Sequence, residues 1–521
     1  MKLLYFLFLG LALETAAFSI PNLEARKSKR CIGNTVHTRK TWCEYDINTD
    51  YTTVVPNTGV TRQYWFSVDE VTVALDGFSR PAMAVNGTYP GPTIYANWGD
   101  EVVVHVTNHL DESGNGTSIH WHGIRQNYTN PNDVFGGIII DGPASSNYDV
   151  DKGVLFLNDW SHQTADELYT YAQTQGPPTL NNGLINGTNV YNGTTGGSRF
   201  TMRANQGESY RLRIINAAID THWKFMIDNH TLTVISMDLV PIEPYTTNFI
   251  NIGMGQRYDV IVTANQALVA RNFWMRAVPQ TQCSENDSVD NIKGIFHYDT
   301  RIGTPETSPY EFQDGCVDED MSNLVPIVSK SVSPADWSSV EDVAVSTNAN
   351  NLFRWYLNST TMEVAWQDPT LLQIYNNATT FSDSSGIIEL PNANEWVYLL
   401  INTSMPIAHP IHLHGHDFFI LAQGSNPWDG TTVSSTNPPR RDTAMLESAG
   451  YLLIAFETDN PGAWLMHCHI GWHTSEGFAL QFVERSDEIK DLIDYQTLNQ
   501  NCVAWTAYDS AYGIEQEDSG V

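Results

Sequence analysis

The chain has 521 residues, well above the size of one ordinary domain, so we expect two to four domains. Its composition of 41% hydrophobic and 17% charged residues allows substantial cores and excludes an intrinsically disordered chain. The net charge of −32 at pH 7 argues against nucleic acid or an anionic membrane surface as a partner.

The N-terminus predicts a secretory signal peptide over residues 1–19, because an apolar run from Leu3 to Leu13 follows Lys2 and precedes small residues. The dibasic pair Lys29-Arg30 before Cys31 predicts a propeptide over residues 20–30, with a plain charged linker as the alternative. No other stretch approaches the roughly 20 apolar residues that span a membrane, so we expect a secreted, soluble protein. Ten Asn-x-Ser/Thr sequons support secretion and predict glycosylation; they begin at Asn86, Asn115, Asn127, Asn186, Asn192, Asn229, Asn286, Asn358, Asn377 and Asn402.

Short alternating or β-branched runs between Gly, Pro and Asn turns predict an all-β chain of sandwiches or barrels, with strands at 101–106, 210–215, 258–263 and 396–401. Helix is expected only in short pieces, such as Ala165–Tyr171 and Asp487–Ile493. One strand phrase recurs after Trp98-Gly-Asp-Glu101, after Asn205-Gln-Gly-Glu208 and after Glu395, which predicts three related β domains. We place them at residues 31–146, 147–320 and 321–505, followed by a C-terminal tail over 506–521.

Nine of the sixteen histidines fall into three clusters: His120 and His122; His409, His412, His414 and His416; and His467, His469 and His473. In a strand, residues i and i+2 point to one face, so each His-x-His pair can present two imidazoles to the same side. Cys468, between His467 and His469, then points to the opposite side. One strand is therefore expected to touch two metal sites.

The donor types indicate copper. A Cys thiolate with two imidazoles is the ligand set of a blue-copper electron-transfer site, and imidazole clusters without carboxylates favour copper or zinc over magnesium or calcium. Structural zinc would require closed four-ligand sites, which one Cys among nine His does not suit. A single His would normally be a hydrogen-bonded core residue, but nine at this spacing are not explained that way.

The segments HWHG at 120–123, HPIHLHGHDF at 409–418 and GAWLMHCHIGWH at 462–473 resemble three of the four copper-ligand motifs of laccases, and the resemblance covers nearly the whole mature chain. NPPRRDT at 437–443, the dibasic site and the C-terminal Asp518-Ser-Gly-Val521 are similar to the ascomycete type. The resemblance implies three consecutive cupredoxin-like β-sandwich domains, and a C-terminal tail that plugs a solvent channel.

Carried over by resemblance, His409, Cys468 and His473 hold a type 1 copper, and Phe478 takes the axial place without coordinating, which raises the redox potential. The resemblance assigns His120 and His412 to a type 2 copper and His122, His414, His467 and His469 to a type 3 pair.

The resemblance also implies that phenols or aromatic amines give single electrons to the type 1 site, and that four electrons passing through Cys468 reduce dioxygen to two waters. The matching positions of Asp238 and Trp472 imply a phenolic proton acceptor and a wall of the substrate pocket, with a surface turn as the alternative for Asp238. His416 and His162 match positions that are not ligands.

The fourth motif of the family, a second His pair within a phrase like Trp-Tyr-His-Ser-His, is absent. The chain resembles the family on both sides of a join near Asp133–Phe135, so the first domain is expected to be incomplete and the type 3 ligation to lack two His. The cysteines agree with this interpretation. Cys31–Cys43 and Cys283–Cys316 match disulfides of the family, whereas the implied partner of Cys502 falls in the missing stretch.

Two explanations stay open: an assembly or splicing error in the sequence of an active oxidase, or a protein with a broken cluster that acts at most as a type 1 copper-binding or electron-transfer protein. An iron oxidase is a third candidate function; it would need acidic residues near the type 1 histidines, and no such patch can be placed from the sequence.

The loss of strands from the first domain should cost many kcal/mol against a net stability of roughly 5–15 kcal/mol, so we expect poor expression. We expect a monomer; the natural substrate and the role, in pigment synthesis, lignin attack or defence, stay open.

Overall fold

Three consecutive β domains make up the protein, in agreement with the predicted all-β architecture. A computed structural model describes residues 33–110, 119–124, 135–192, 195–432, 435–514, 516 and 518–521. The predicted signal peptide, the predicted propeptide, Cys31 and most of the predicted join lie outside these residues. Among the described residues, no helix is both long enough and apolar enough to cross a membrane.

The second domain is a sandwich of two sheets, with strand orders β14-β13-β16-β11-β8-β9 and β10-β18-β17-β12-β15. Its strands are β8 (Val150–Trp160), β9 (Asn182–Ile185), β10 (Thr201–Arg203), β11 (Ser209–Asn216), β12 (Trp223–Ile227), β13 (Leu232–Met237), β14 (Val240–Thr247), β15 (Ile250–Ile252), β16 (Arg257–Thr263), β17 (Asn272–Pro279) and β18 (Lys293–His297).

The third domain repeats this plan, with strand orders β20-β19-β22-β27-β24-β25 and β21-β29-β28-β23-β26. Its strands are β19 (Trp337–Thr347), β20 (Phe353–Leu357), β21 (Ile387–Leu390), β22 (Trp396–Thr403), β23 (His409–Leu413), β24 (Phe418–Ser425), β25 (Arg440–Arg441), β26 (Thr443–Leu446), β27 (Gly450–Glu457), β28 (Gly462–Cys468) and β29 (Ala479–Glu484). One continuous hydrophobic cluster runs through the cores of the second and third domains.

The first domain has smaller sheets in its described part, with strand orders β4-β3-β6 and β5-β7. Its strands are β3 (Thr61–Val73), β4 (Arg80–Val85), β5 (Gly91–Asn97), β6 (Glu101–Asn108) and β7 (Gly136–Asp141), and a short hairpin of β1 (Thr41–Trp42) and β2 (Tyr45–Asp46) precedes them. Its core is correspondingly small, built on Phe66, Val85 and Ile94.

The strand pairings of the three domains correspond, and comparing them shows which neighbours are absent among the described residues of the first domain. In the second domain β11 lies between parallel β8 and antiparallel β16, and in the third β22 lies between parallel β19 and antiparallel β27. Their counterpart β6 pairs in parallel with β3 but has no antiparallel neighbour among the described residues. Accordingly β11 and β22 are mostly buried, whereas β6 is mostly exposed and Val106 keeps 46% of its surface.

The second sheet shows the same gap. Strand β18 lies between parallel β10 and antiparallel β17, and β29 lies between parallel β21 and antiparallel β28. Their counterpart β7 pairs in parallel with β5 and lacks an antiparallel partner within the described part of the chain. This pattern agrees with the prediction that the first domain is incomplete.

The helices are α1 (Ala165–Gln175), α2 (Thr370–Tyr375), α3 (Gly471–Ser475), α4 (Ser486–Leu492) and α5 (Tyr495–Tyr512), and two single 3₁₀ turns cover Met321–Asn323 and Asp383–Ser385.

The two predicted helical pieces are confirmed as α1 and α4; a capping box between Thr164 and Glu167 starts α1. The expectation of only short helices was wrong, because α5 has 18 residues. It buries only Cys502, so it lacks the apolar stripe that signals a helix, and the predicted boundary at residue 505 falls inside it.

The NPPRRDT segment joins the third domain to the second through buried ion pairs. Arg441 Nε lies 2.7 Å from Asp238 Oδ2, and both side chains are 0% exposed. Asp442 accepts two hydrogen bonds of 2.6 Å from the Arg257 guanidinium. Because each charge is buried with its partner, the motif fixes how the two domains meet.

Replacing Arg441 with Ala should lower the free energy of unfolding by about 3–5 kcal/mol, because the Asp238 carboxylate stays buried without its main partner. Urea denaturation followed by intrinsic fluorescence measures this change. Glu488→Ala, which breaks the surface pair between Arg485 and Glu488, serves as the control and should stay within about 1 kcal/mol. Equal effects of the two substitutions would contradict the importance of the buried pair.

Candidate metal centres

Strand β28 sends its side chains to two different sites, as the alternation predicted. Cys468 Sγ lies 3.8 Å from His409 Nδ1 and 3.6 Å from His473 Nδ1, and the two nitrogens are 3.2 Å apart. Strand pairing places His409, since Ile411 of β23 lies opposite Cys468, and α3 carries His473. All three side chains are buried, with His473 the most accessible at 3%.

The other six predicted ligands form a second cluster on the opposite side of β28. Donor atoms of His120, His122 and His412 lie within 4.8 Å of one another, as do those of His412, His414 and His467. The ring of His469 lies 5.2 Å from that of His122. The structure therefore brings together every His that the sequence assigned to this cluster.

The His-x-His pairs of the first and third domains face each other. The His120 ring stacks on His414 with a centroid distance of 4.0 Å, and the His122 ring stacks on His412 at 3.9 Å. The third domain adds a second pair, His467 and His469, from β28. No matching pair from the first domain faces it in the described part of the chain.

Burial keeps these imidazoles neutral and able to bind a metal. It lowers the pKa of His409, His120 and His467 to about 3 and that of His469 to about 4. Burial also raises the pKa of the Cys468 thiol, so a bound cation is needed to stabilise its thiolate. Two imidazole nitrogens and one sulfur that converge in a dry site fit copper.

Hydrogen bonds orient several of the rings. His412 Nδ1 donates to the Asp442 carbonyl at 2.8 Å, and His467 Nδ1 donates to the Cys468 carbonyl at 2.8 Å. Each bond leaves Nε2 for a metal; His412 Nε2 then lies 3.3 Å from His120 Nε2, and His467 Nε2 lies 3.2 Å from His414 Nε2.

Gly255 of the second domain makes room for the cluster, a role that the sequence did not reveal. Its φ of +79° lies in the left-handed region, and a Cβ there would lie 2.6 Å from His469 Nε2 and 3.1 Å from His122 Cε1. Any larger residue would therefore displace a His ring.

Asp238, the predicted proton acceptor, lies in the contact between the second and third domains. It begins the tight turn between β13 and β14, is 2% exposed, and its Oδ1 accepts the Arg257 N–H at 2.7 Å while Oδ2 pairs with Arg441. Both oxygens are thus engaged, Oδ1 by Arg257 of the same domain and Oδ2 by Arg441 of the third domain, which argues against the predicted role as a proton acceptor. The burial of Asp238 and its pairing with Arg441 are the reasons, and neither can be read from the local sequence.

Asp220 is the acidic residue that the sequence analysis missed. It lies in the loop after β11, which contacts α3 through a Gly471 N–H to Ile219 carbonyl bond of 2.8 Å. Burial, together with the neighbouring Asp159 carboxylate, raises the pKa of Asp220 to about 8. Its carboxyl group also interacts with the Trp472 side chain of α3, which partly offsets this rise.

The remaining predicted residues have clear positions. Phe478 is fully buried with its ring 5.1 Å from that of His409, next to the Cys468 site. Trp472 is 3% exposed in α3 and lines a cavity of about 680 Å³ that His120, His122, His467 and His469 also line.

The two histidines that were set aside have other partners. His416 pairs with Glu484 at 3.1 Å, and His162 pairs with Asp76 at 2.9 Å. Neither belongs to a converging donor group within the described ranges.

The cysteines follow the predicted pattern where they are described. Cys283 and Cys316 form a disulfide. Cys43 is disulfide-bonded, and its predicted partner Cys31 lies outside the described residues. Cys468 and Cys502 are free and buried.

Comparison with known proteins identifies the relatives of this chain. Three family models described as multicopper oxidase match residues 67–149, 151–301 and 356–488. The chain is 42% identical to Laccase-2 of Botryotinia fuckeliana, with 98% of this chain and 97% of the relative covered. The solved laccase of Botrytis aclada is similar with 41% identity and a TM-score of 0.88, covering 94% of this chain and 99% of that one. Fet3p, a multicopper oxidase that functions in iron import, shares the fold at 24% identity with a TM-score of 0.73, covering 88% and 96%.

The alignment with Laccase-2 is longer than this chain. It extends over 573 residues, whereas the chain has 521. The relative therefore contains residues that have no counterpart here.

Replacing Cys468 with Ser should abolish the visible thiolate-to-copper absorption band of the copper-loaded protein, because this substitution removes the sulfur donor of the site. Absorption spectroscopy after copper reconstitution measures it. Cys502→Ser is the matched control, since Cys502 is also a free, buried cysteine, and it should leave the band intact. Survival of the band in the Cys468→Ser variant would contradict the assigned site.

Proposed function

Because this chain belongs to the multicopper oxidase family and is a laccase-like oxidoreductase within it, we propose that it oxidises phenols or aromatic amines by single electrons and reduces dioxygen to water. The observation that carries the proposal is the adjacency of Cys468 and His467 in β28. These consecutive residues belong to two different donor groups, so one strand connects the site that receives electrons to the site that uses them.

The donor groups support three kinds of copper site. His409, Cys468 and His473 would hold a type 1 copper, with Phe478 beside it as a side chain that does not coordinate. The close pair of His120 and His412 would hold a type 2 copper. The pair His414 and His467 and the pair His122 and His469 would each contribute to one copper of a type 3 pair.

When bound, copper supplies the one-electron chemistry and the binding of dioxygen. The side chains position and isolate these sites. Of the two type 1 imidazoles, His473 retains some exposure and His409 retains none, so substrate electrons enter through His473. His467 and Cys468 are both buried, at 8% and 0% exposed, which excludes water from the direct path between the sites.

Asp220 is the better candidate for the group that receives the phenolic proton. It lies on the loop that contacts α3, the helix of His473 and Trp472, and its carboxyl group interacts with the Trp472 side chain. A base whose pKa is raised toward that of a phenol, about 10, accepts its proton at little free-energy cost. Trp472 packs in the same region and would limit the pocket.

The type 3 ligation of this chain is incomplete, and the repeat of the domains supports this part of the proposal. In the third domain, residues 415–478 separate His414 from β29 and contain β24–β28. In the first domain, only residues 123–135 separate His122 from β7. The missing antiparallel neighbours of β6 and β7 correspond to β27 and β28, which are consecutive in sequence.

The counterpart of β28 would bring a His pair to face His467 and His469, where the cavity now lies. The longer alignment with Laccase-2 supports the absence of such a segment. Each copper of the type 3 pair would then lack one ligand. We also propose that the protein is secreted and glycosylated, which the predicted signal peptide and sequons support. We further propose that it is a monomer.

Replacing Asp220 with Asn should raise the KM for a phenol about tenfold or more, because a charge-assisted hydrogen bond contributes about 1.5–3 kcal/mol. Stopped-flow reduction of the type 1 site under anaerobic conditions gives the phenol concentration at half-maximal rate, which is the single-turnover equivalent of this KM and does not depend on the cluster. Ferrocyanide, a donor with no proton to lose, should be nearly unaffected. Asp238→Asn should lower stability and leave the phenol KM unchanged; the reverse pattern would restore the original assignment.

Inserting the unmatched Laccase-2 segment between Ile124 and Gly136 should increase oxygen uptake with a phenol by at least about a hundredfold, since lost metal-site interactions commonly cost 10–100-fold. An oxygen electrode measures uptake at matched copper loading. The same insert with its two His replaced by Ala is the control and should restore strands without restoring activity. Full oxygen uptake by the chain without the insert would show that its cluster is sufficient.

A further inference from the structure

Trp355 of β20 packs against three side chains around the proposed type 1 site. Its ring centroid lies 4.2 Å from that of His473, 5.0 Å from that of His409 and 5.5 Å from that of Phe478. The side chain is 3% exposed. It therefore restrains both imidazoles by direct ring contact.

Glu476 holds this tryptophan in place. Trp355 Nε1 donates to Glu476 Oε2 at 3.1 Å, and the Trp355 backbone N–H donates to the Glu476 carbonyl at 2.9 Å. Glu476 is 4% exposed and ends α3, the helix that carries His473. The Trp355 ring thus connects the buried carboxyl group of Glu476 to the imidazoles of His409 and His473.

We propose that Trp355 and Glu476 form a positioning pair that fixes the imidazoles of the type 1 site and sets its reduction potential through the charge of Glu476. This inference rests on the proposed type 1 site. It concerns neither the substrate nor the cluster, so it does not depend on whether the first domain is complete.

The sign of the effect follows from electrostatics. An ionised Glu476 stabilises the oxidised, more positive copper over the reduced one, so ionisation lowers the potential, and burial makes this interaction stronger than in water. Burial raises the pKa of Glu476 to about 8. The charge is therefore absent at acidic pH and appears as the pH rises through about 8.

The charged neighbours of Glu476 are few in the described structure. Arg354, which precedes Trp355 on β20, acts on Glu476 and lowers its pKa. Asp518 of the C-terminal segment interacts with Arg354 in turn. From α3, the nearest titratable residue is His473, whose pKa burial holds well below its ordinary value. Arg354 and Asp518 therefore modulate the charge of Glu476.

The test is a redox titration of the type 1 absorption band in the full chain at pH values on both sides of 8. In the unmodified protein the potential should fall as the pH rises. Glu476→Gln keeps the hydrogen-bond acceptor and removes the charge, so the band should be unchanged and the potential should stay at its low-pH value. Trp355→Phe keeps a ring but removes the N–H donor, and should broaden the copper electron paramagnetic resonance signal and weaken the pH dependence.

Glu341→Gln is the control, since Glu341 is also a buried, hydrogen-bonded carboxyl group of the third domain, and it should retain the pH dependence of the unmodified protein. A Glu476→Gln variant with an unchanged pH dependence would overturn the inference while leaving the type 1 site intact. Absence of the visible band from the unmodified protein would instead refute the proposed site. If Glu476→Gln fails to fold, Glu476→Asp shortens the side chain and should weaken the coupling; an unchanged coupling would also overturn the inference.

Discussion

The alternation of side chains along β28 is the constraint on which the rest of the structure depends. Successive residues of a strand point to opposite faces, so Cys468 and His467 cannot move independently or belong to the same donor group. Pairing of β23 with β28 then fixes His409 and His412 in register with them. The short helix α3 returns His473 to the sulfur within five residues. One pair of strands and one helical turn thus determine both the separation and the connection of the two centres.

Much of this could be read from the sequence, because strand alternation and ligand spacing are local. The His-x-His pairs, the opposed cysteine and the strands β6, β11, β16 and β22 needed only the period of two. Interactions between distant segments could not be read in this way. Asp238 and Asp220 are two acidic residues in loops of the same domain, and only the buried partners of Asp238 separate their roles. Helix α5 escaped notice because it packs with almost no apolar side, although Asp494 and Gly513 mark its ends.

The internal repeat gives information that no single motif carries. Each complete domain places a parallel and an antiparallel neighbour on its central strands, and the two copies agree in detail. The first domain can therefore be judged against the other two within the same chain. Its exposed β6 and the cavity beside the histidines are the expected consequences of one missing segment, the counterpart of β24–β28. Cys468 lies in the third domain, so a loss of strands from the first domain would affect the histidine cluster and spare the site of the sulfur donor.

The described residues of the second domain contribute no donor atom to either centre, yet Gly255 lies against two of the histidines. Gly255 contributes by lacking a side chain, which leaves space for the two histidine rings. A search for important positions by chemical type would pass over it, since glycine neither binds nor titrates. In a survey of all single substitutions, this position should nevertheless be as intolerant as the ligands. At position 255 a hydrogen side chain is therefore required as strictly as imidazole is required at the ligand positions.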